Sequence, residues 1–405
     1  MVTPERRTKG DVLVAVAIAA VVAVVAALIW WTSDARATVS RPAAEPVPAL
    51  KSARDVPGAL RELWTAPSPK TRQPVVAGGS VVTGDGDQMD GRDPATGDVL
   101  WTYARDVELC GVTAVYQNAV AVYPDPRGCG QVTTIDGKTG KRGATRSAYA
   151  DPAVKLSSDG TTVLSAGANR LELWRSDMVR MISYGVLDAR IKPDVPAQPL
   201  CTFTSAAAST ALVAVTEACP GQADMRLTLL KPADEEDQPE TKFVELPGVS
   251  AESDARVIAV SDTLTAVYVP TPKPVVNVVD DTGTTIATTM LARGAAPDAT
   301  ATSSGDLLTW WTGDELLVFE ANGMRYRFTV NPVDGQAPVG PGVVMAGRLL
   351  VPVTGGYDVF DPQTGAGERH IDLARAAGSG PVVPAVAGSM VLEQRGANVV
   401  ALGGG

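Results

Sequence analysis

The pattern of hydrophobic positions changes after the first sixty residues. Residues 12–31 carry no charge and consist of Val, Ala, Ile and Leu before a closing Trp30-Trp31 pair. A helix rises about 1.5 Å per residue, so twenty such residues match the roughly 30 Å core of a bilayer. The paired tryptophans sit where interfacial aromatic residues are enriched. The pattern predicts a transmembrane anchor helix over 12–31, preceded by a short N-terminus at 1–11.

Flanking charges predict the orientation of this helix. Arg6, Arg7 and Lys9 precede the span, which favours a cytoplasmic N-terminus and places everything after Trp31 outside the cytoplasm. The alternative is a cleaved signal peptide, because Ala35-Arg36-Ala37 resembles a small-x-small cleavage site. Signal-peptide apolar regions run about 7–15 residues, so the longer stretch here favours an uncleaved anchor. Both alternatives export the rest of the chain.

Residues 32–58 show no apolar period. They contain Pro42, Pro46, Pro48 and Pro57 among Ala, Ser and charged residues. This composition predicts a semi-extended linker that lifts the following domain off the membrane.

From residue 59 to 405 the pattern repeats about every forty residues: short Val-rich strands separated by tight turns. The clearest unit is 75–103. Further copies begin near Val112, Val154, Thr202, Val257, Ala299 and Gly340. Turn signals recur at matching places: Asp136 to Gly140, Asp280 to Gly283, Glu320 to Gly323 and Asp361 to Gly365. Strands in units of this length are typical of the four-stranded blades of an all-β propeller.

The two ends of the repeat complement each other. The last unit, 380–402, has too few strands, and 60–66 offers the missing outer strand. A ring closed by strands from both termini leaves no exposed sheet edge between first and last blades. Counting this composite unit predicts eight blades, while the irregular stretch 154–245 leaves seven as the alternative count.

One repeat carries a recognisable motif. Asp93, Thr96, Gly97 and Trp101 form Asp-x-x-Thr-Gly-x-x-x-Trp, which resembles the blade-docking repeat of PQQ-like β-propellers. That family includes the quinoprotein alcohol dehydrogenases and the propeller lipoprotein of the outer-membrane β-barrel assembly machine. The motif decays elsewhere, with Ala144 and Arg369 at the tryptophan position. The resemblance implies the propeller fold over the repeat region, and we expect the non-enzymatic branch.

Enzymatic members of that family hold a quinone cofactor and calcium beside a disulfide between adjacent cysteines. This sequence has no adjacent cysteines, and no acidic base with calcium ligands stands at matching positions. Asp85, Asp87 and Asp90 suggest a calcium loop, but Met89 occupies a ligand position, so a polar turn is favoured. We therefore expect no cofactor, no metal, no catalytic residue and no enzymatic activity.

Composition narrows the function further. The net charge of −10 repels phosphate backbones, so nucleic acid is not expected as a partner. His370 is the single histidine, and histidine is the commonest general acid–base residue and metal ligand. This makes Ser-His-Asp and zinc hydrolase chemistry poor candidates. The dominance of Ala, Val and Gly, with Arg favoured over Lys, is typical of a high-GC bacterium.

The four cysteines form two local pairs, Cys110 with Cys129 and Cys201 with Cys219, each bracketing a strand-turn-strand stretch. A hairpin returns the chain to its start, so each pair could bridge. An even cysteine count in an exported chain favours disulfides over free thiols. Four cysteines formally allow three connectivities, and local pairing is the prediction.

Two features are candidates for an interaction surface. The first is the acidic run Asp234, Glu235, Glu236 and Asp237, for which a solvated loop is the plainer interpretation. The second is Trp310, which adjoins Trp311 in one strand; adjacent side chains point to opposite faces, so one of the two could be exposed, although core packing is expected for both.

The sequence thus predicts a membrane-anchored, extracytoplasmic β-propeller that acts as a non-catalytic protein-interaction scaffold or assembly factor in the bacterial cell envelope. Its partner would be an envelope or membrane protein. The alternative is an exported small-ligand binder or enzyme that uses the central channel of the propeller.

Overall fold

A computed structural model describes residues 8–187, 200–332, 336–375 and 380–404. Arg6 and Arg7, on which the orientation prediction partly rests, lie outside these ranges. Helix α1 spans Lys9–Thr32 and a single turn, α2, spans Asp34–Ala37. Thr8 caps α1, because its hydroxyl accepts from Asp11 N while the Asp11 carboxylate accepts from Thr8 N at 2.7 Å. No residue of α1 is buried, and the helix is long and apolar enough to cross a bilayer.

All the other regular elements of the described chain are strands. Two strands precede the first blade, β1 (Val39–Arg41) and β2 (Leu60–Pro67). The blades follow in chain order. Blade 1 has β3 (Val75–Ala77), β4 (Ser80–Asp85), β5 (Gln88–Arg92) and β6 (Val99–Ala104); blade 2 has β7 (Gly111–Val115), β8 (Asn118–Asp125), β9 (Gly128–Asp136) and β10 (Arg142–Ser147). Blade 3 has β11 (Lys155–Ser158), β12 (Thr162–Ala166), β13 (Arg170–Arg175) and β14 (Arg180–Gly185); blade 4 has β15 (Thr202–Ala208), β16 (Val213–Ala218), β17 (Asp224–Lys231) and β18 (Glu240–Ser250). Blade 5 has β19 (Arg256–Val260), β20 (Leu264–Val269), β21 (Val275–Asp280) and β22 (Thr285–Met290); blade 6 has β23 (Thr300–Ser304), β24 (Leu307–Trp311), β25 (Leu316–Glu320) and β26 (Tyr326–Val330). Blade 7 has β27 (Val343–Met345), β28 (Arg348–Val353), β29 (Gly356–Phe360) and β30 (Gly367–Asp372); blade 8 has β31 (Val382–Ala387), β32 (Met390–Arg395) and β33 (Asn398–Gly404), together with β2.

The eight-bladed prediction is confirmed, including its closure. Strand β2 pairs antiparallel with β33, with Leu60 opposite Gly404 and Pro67 opposite Asn398. Both ends of the repeat region therefore share one sheet, so strands from the two ends together complete blade 8 and close the ring.

Blade 1 has a fifth strand that the sequence pattern did not predict. Strand β1 pairs antiparallel with β6, with Val39 opposite Ala104 and Arg41 opposite Thr102. Only residues 33–38 therefore separate α1 from the propeller sheet.

Residues 42–57, called the strap below, run across the propeller instead of standing free as a linker. Val47 N donates to Lys138 O at 2.8 Å in blade 2, and Ala53 N donates to Gly388 O at 3.2 Å in blade 8. Val56 is buried against the blade 7 and blade 8 core, and its carbonyl accepts from Arg369 at 2.7 Å. The prediction of a linker that stands free of the domain is therefore wrong, because this segment packs on the propeller. Single valines anchor it, so its sequence shows no apolar period.

The two faces of the ring differ in the chain segments that form them. The turn face holds the turns between the first and second and between the third and fourth strands of each blade, such as 78–79 and 93–98. The loop face holds the turns between second and third strands, such as 86–87, and the connections between blades, such as 105–110. The strap contacts the turn face, because Gly388, Lys138 and Gly79 all lie in turns of that kind.

Candidate functional site: the two faces and the central channel

The predicted docking motif joins neighbouring blades on the turn face. Asp93 Oδ1 accepts from the backbone N–H groups of Ala95 at 2.8 Å and Thr96 at 3.0 Å, while Gly97 adopts φ 79°. The ring of Trp64, from blade 8, lies on Gly97, where an added Cβ would come within 2.7 Å of the ring. The Trp64 indole N–H donates to Pro94 O at 2.8 Å.

Trp101 repeats this arrangement one blade further on. It is 1 % exposed, it packs on Gly140 of blade 2, and its indole N–H donates to Gly137 O at 2.9 Å. Phe328 occupies the same place on Gly365, and Val244 on Gly283. The motif residues therefore brace the ring, and they do not form a ligand site.

The walls of the central channel carry almost no ionisable chemistry. The innermost strands of the eight blades are β3, β7, β11, β15, β19, β23, β27 and β31, and every residue in them is described. Their only ionisable side chains are Lys155 and Arg256; the rest are mainly Val, Ala, Thr and Ser. Arg256 is engaged, since its guanidinium donates to Asp254 at 3.0 Å and to the Ala296 carbonyl at 2.6 Å. These walls offer no general acid–base pair.

Buried ionic clusters lie between the blades instead. Glu172 accepts from Arg146 at 3.1 Å, Arg170 at 2.8 Å and the Trp174 indole at 2.8 Å. Burial alone would raise the pKa of Glu172, but the charge of Arg146 and the hydrogen bonds from Arg170 and Trp174 hold that pKa below its usual value.

A second cluster, in blade 8, centres on Glu393. Its side chain is fully buried and accepts from Arg375 at 2.7 Å, Arg395 at 2.5 Å and Tyr357 at 2.6 Å. Burial opposes ionisation, yet Arg375 and then Arg395 keep the pKa of Glu393 below its usual value. Burial, together with the Glu393 charge, raises the pKa of Tyr357. Because these acids are fully committed to partners inside the core, both clusters are structural.

The acidic run does not form a free solvated loop. Glu236 accepts two hydrogen bonds from Arg180 of blade 3, at 3.1 and 2.5 Å, and its carbonyl accepts from Ser183 N at 2.6 Å. Asp237 is buried, Glu235 is half-buried, and only Asp234 is exposed. The run therefore clips blade 4 to blade 3.

Trp310 is not available as a surface anchor. It is 1 % exposed and packs against Tyr268 with ring centroids 5.4 Å apart, and Trp311 is also buried, with its indole N–H donating to Pro338 O. Trp310 lies between blades 5 and 6, so its assignment to an interaction surface is wrong, whereas core packing of both tryptophans is correct.

The aspartates considered as a calcium loop line a polar cleft of about 360 Å³ beside blade 8. Asp90 is committed within it, to Arg92 at 3.2 Å and Thr102 at 2.8 Å. In the described part of the chain, only Cys201, Glu217 and Cys219 bring three potential metal-ligand atoms within 4.8 Å of one another. The two sulfurs of that group are already bonded to each other.

Both predicted disulfides are confirmed. Cys110–Cys129 and Cys201–Cys219 have Cα separations of 6.0 and 4.2 Å. Each disulfide lies on the loop face, where it links the connection that leads into a blade to a turn or strand end of that blade. Cys110–Cys129 does so in blade 2 and Cys201–Cys219 in blade 4. His370, in contrast, pairs with Asp358 at 2.6 Å on an outer strand.

Sequence reasoning missed two cations at the loop-face mouth of the channel, Arg72 and Lys155. Arg72 lies in the connection from β2 to β3, and Lys155 begins β11. The only sequence signal was the rarity of charge in the innermost strands.

No family model matches the chain, and no curated protein matches it. Solved structures do. BamB from Moraxella catarrhalis is 14 % identical with a TM-score of 0.53, over 85 % of this chain and 100 % of that chain. The dihydro-heme d1 dehydrogenase NirN is 11 % identical with a TM-score of 0.50, over 84 % of this chain and 78 % of that one. At these identities the likeness concerns the fold alone, and this chain has the fold of an eight-bladed β-propeller.

Proposed function

We propose that this protein is a non-catalytic interaction scaffold of the bacterial cell envelope, anchored as a single-pass protein by α1. Its N-terminus lies in the cytoplasm and its propeller outside. The observation that carries the proposal is the innermost strands, which hold two ionisable residues and no acid. A rigid ring with many loops and no reactive channel suits binding.

The tether supports a role close to the membrane. Residues 33–38 can span at most about 20 Å when fully extended, because a residue covers about 3.3–3.6 Å. Since β1 is fixed on blade 1, the propeller stays within this distance of the end of α1. Its partner is therefore an envelope or membrane protein.

The strap favours the loop face as the binding face. It occupies the turn face at blades 1, 2, 7 and 8, whereas the loop face carries both disulfides. The sequence resemblance to the non-enzymatic branch of PQQ-like propellers agrees with a scaffold. The likenesses to BamB and to NirN concern the fold alone.

The test is affinity purification of the full-length protein after crosslinking in intact cells, followed by mass spectrometry. The proposal expects one reproducible envelope protein, crosslinked to loop-face residues. Recovery of no specific protein in repeated experiments would refute it. As a control, the same tag on α1 followed by an unrelated exported domain should recover none of the partner.

A further inference from the structure

Two cations, Arg72 and Lys155, lie at the loop-face mouth of the channel. Neither Arg72 nor Lys155 has a hydrogen-bond or ion-pair partner in the part of the chain that the structure describes, and both side chains are exposed. This is unusual in a chain of net charge −10, where carboxylates outnumber basic groups.

The connection that carries Arg72 is fixed on blades 8 and 2. Thr71 is buried, and its hydroxyl bonds to Gln394 Oε1 of blade 8 at 2.9 Å. Lys70 O accepts from Val112 N of blade 2 at 2.8 Å. Gly111 of blade 2 lies against Leu156 of blade 3, so the connection comes close to the strand that Lys155 begins. Arg72 is thus held in place by its neighbours while its own side chain stays free.

The charge of Arg72 acts on Lys155. Burial lowers the pKa of Arg72, and burial followed by the Arg72 charge lowers the pKa of Lys155. Solvent still reaches both groups, as expected at the entrance of a channel.

Two acids on the loop face already have partners. Glu108 accepts from Lys70 at 2.6 Å, and Asp151 accepts from the backbone N–H groups of Asn169 and Arg170 at 2.9 and 3.0 Å. An incoming anion would relieve the repulsion between Arg72 and Lys155.

We propose that Arg72 and Lys155 bind carboxylates of an acidic peptide segment that enters the channel mouth from the loop face. The identity of the ligand as a protein segment rests on the proposed scaffold function. A guanidinium matches a carboxylate in a bidentate way, and an ammonium adds a second, mobile donor. A long polyanion such as nucleic acid would meet the negative remainder of the surface, whereas a short acidic segment needs only the mouth.

The test uses full-length protein in uncharged detergent micelles and a fluorescent hexaglutamate peptide, followed by fluorescence anisotropy at low salt. The variants are Arg72→Gln, Lys155→Gln and the double variant. Arg61→Gln and Lys242→Gln are matched controls, since both residues are exposed on outer strands and each substitution also removes one positive charge. Each channel substitution should raise Kd about tenfold or more, and the controls should change it less than twofold. All variants should keep the melting temperature of the unsubstituted protein, because neither cation has a hydrogen-bond or ion-pair partner in the described part of the chain.

Three results would overturn the inference: no binding of hexaglutamate, equal loss in the control variants, or variant-dependent binding of inorganic phosphate alone. The outcome is separable from that of the proposed function. Envelope partners captured in cells without any hexaglutamate binding would leave the scaffold and remove this site. Hexaglutamate binding without any captured cellular partner would support this site and refute the scaffold function.

Discussion

Replacing Trp101 by alanine should weaken the ring more than any exposed substitution in the same strand. Trp101 is almost fully buried, lies against Gly91 and Gly140, and donates its indole N–H to Gly137 O. Burial of roughly 200 Å² of aromatic surface at about 25 cal/mol per Å² is worth up to about 5 kcal/mol. Large-to-small substitutions of buried aromatic residues cost about 3–5 kcal/mol. The Gly137 carbonyl keeps a second donor, Ser80 Oγ at 2.9 Å, so no buried acceptor is orphaned.

We therefore expect Trp101→Ala to lower the free energy of unfolding by about 3–5 kcal/mol. The matched control is Val99→Ala, two residues earlier in β6 and 48 % exposed, with an expected change within about 0.5 kcal/mol. The assay is urea unfolding of the full-length protein in micelles, followed by far-UV circular dichroism, which is insensitive to loss of a fluorescent residue. Trp101→Ala and Val99→Ala with the same midpoint would refute the docking role.

The buried acids should make stability depend on pH. The folded-state pKa values of Glu172 and Glu393 lie below their unfolded values, so their stabilisation is present above about pH 4.5 and is lost as pH falls through the folded pKa values. Glu393→Gln should cost about 3–5 kcal/mol at pH 7, because it leaves the buried Arg375 without its carboxylate partner and leaves Arg395 with Glu62 alone. It should also flatten the dependence of the urea midpoint on pH between 6 and 3, and an unchanged pH slope would contradict this. Replacing either cysteine pair by serines should cost about 3 kcal/mol, measured by the same unfolding assay, and non-reducing peptide maps should show only the local pairs; a bridge from Cys110 to Cys201 or Cys219 would disprove the pairing. Val47→Asp should release the strap and speed its proteolytic cleavage by about tenfold or more, because a buried apolar contact becomes a buried charge, while Ala49→Asp at an exposed strap position should not; equal cleavage rates would mean that the strap is not held by Val47.

The sequence predicted what depends on local repetition. Turn residues such as Asp93 and Gly97 mark the blade period. The strand that begins at Leu60 completes the last blade, so the sequence alone led to a count of eight blades. The disulfides followed because each pair brackets one hairpin.

Contacts between distant segments were beyond the pattern. Val47 and Val56 anchor the strap singly, so no period marks them. Glu236 finds Arg180 in another blade, a contact that spans 56 residues, and no local rule distinguishes it from a solvated acid. The free state of Arg72 is likewise a property of its surroundings in space, not of its sequence neighbours.

Site-specific photocrosslinking in intact cells tests most directly whether the propeller binds a partner through its loop face. Gln73 and Gln222 are exposed on the loop face, and Tyr116 and Asp262 are exposed in turns of the opposite face. A photoreactive residue at each position, in turn, reports which face meets a partner. We expect one shared envelope protein crosslinked from Gln73 and Gln222 and absent from the other two positions. Crosslinks from Tyr116 and Asp262 alone, or from no position, would contradict it.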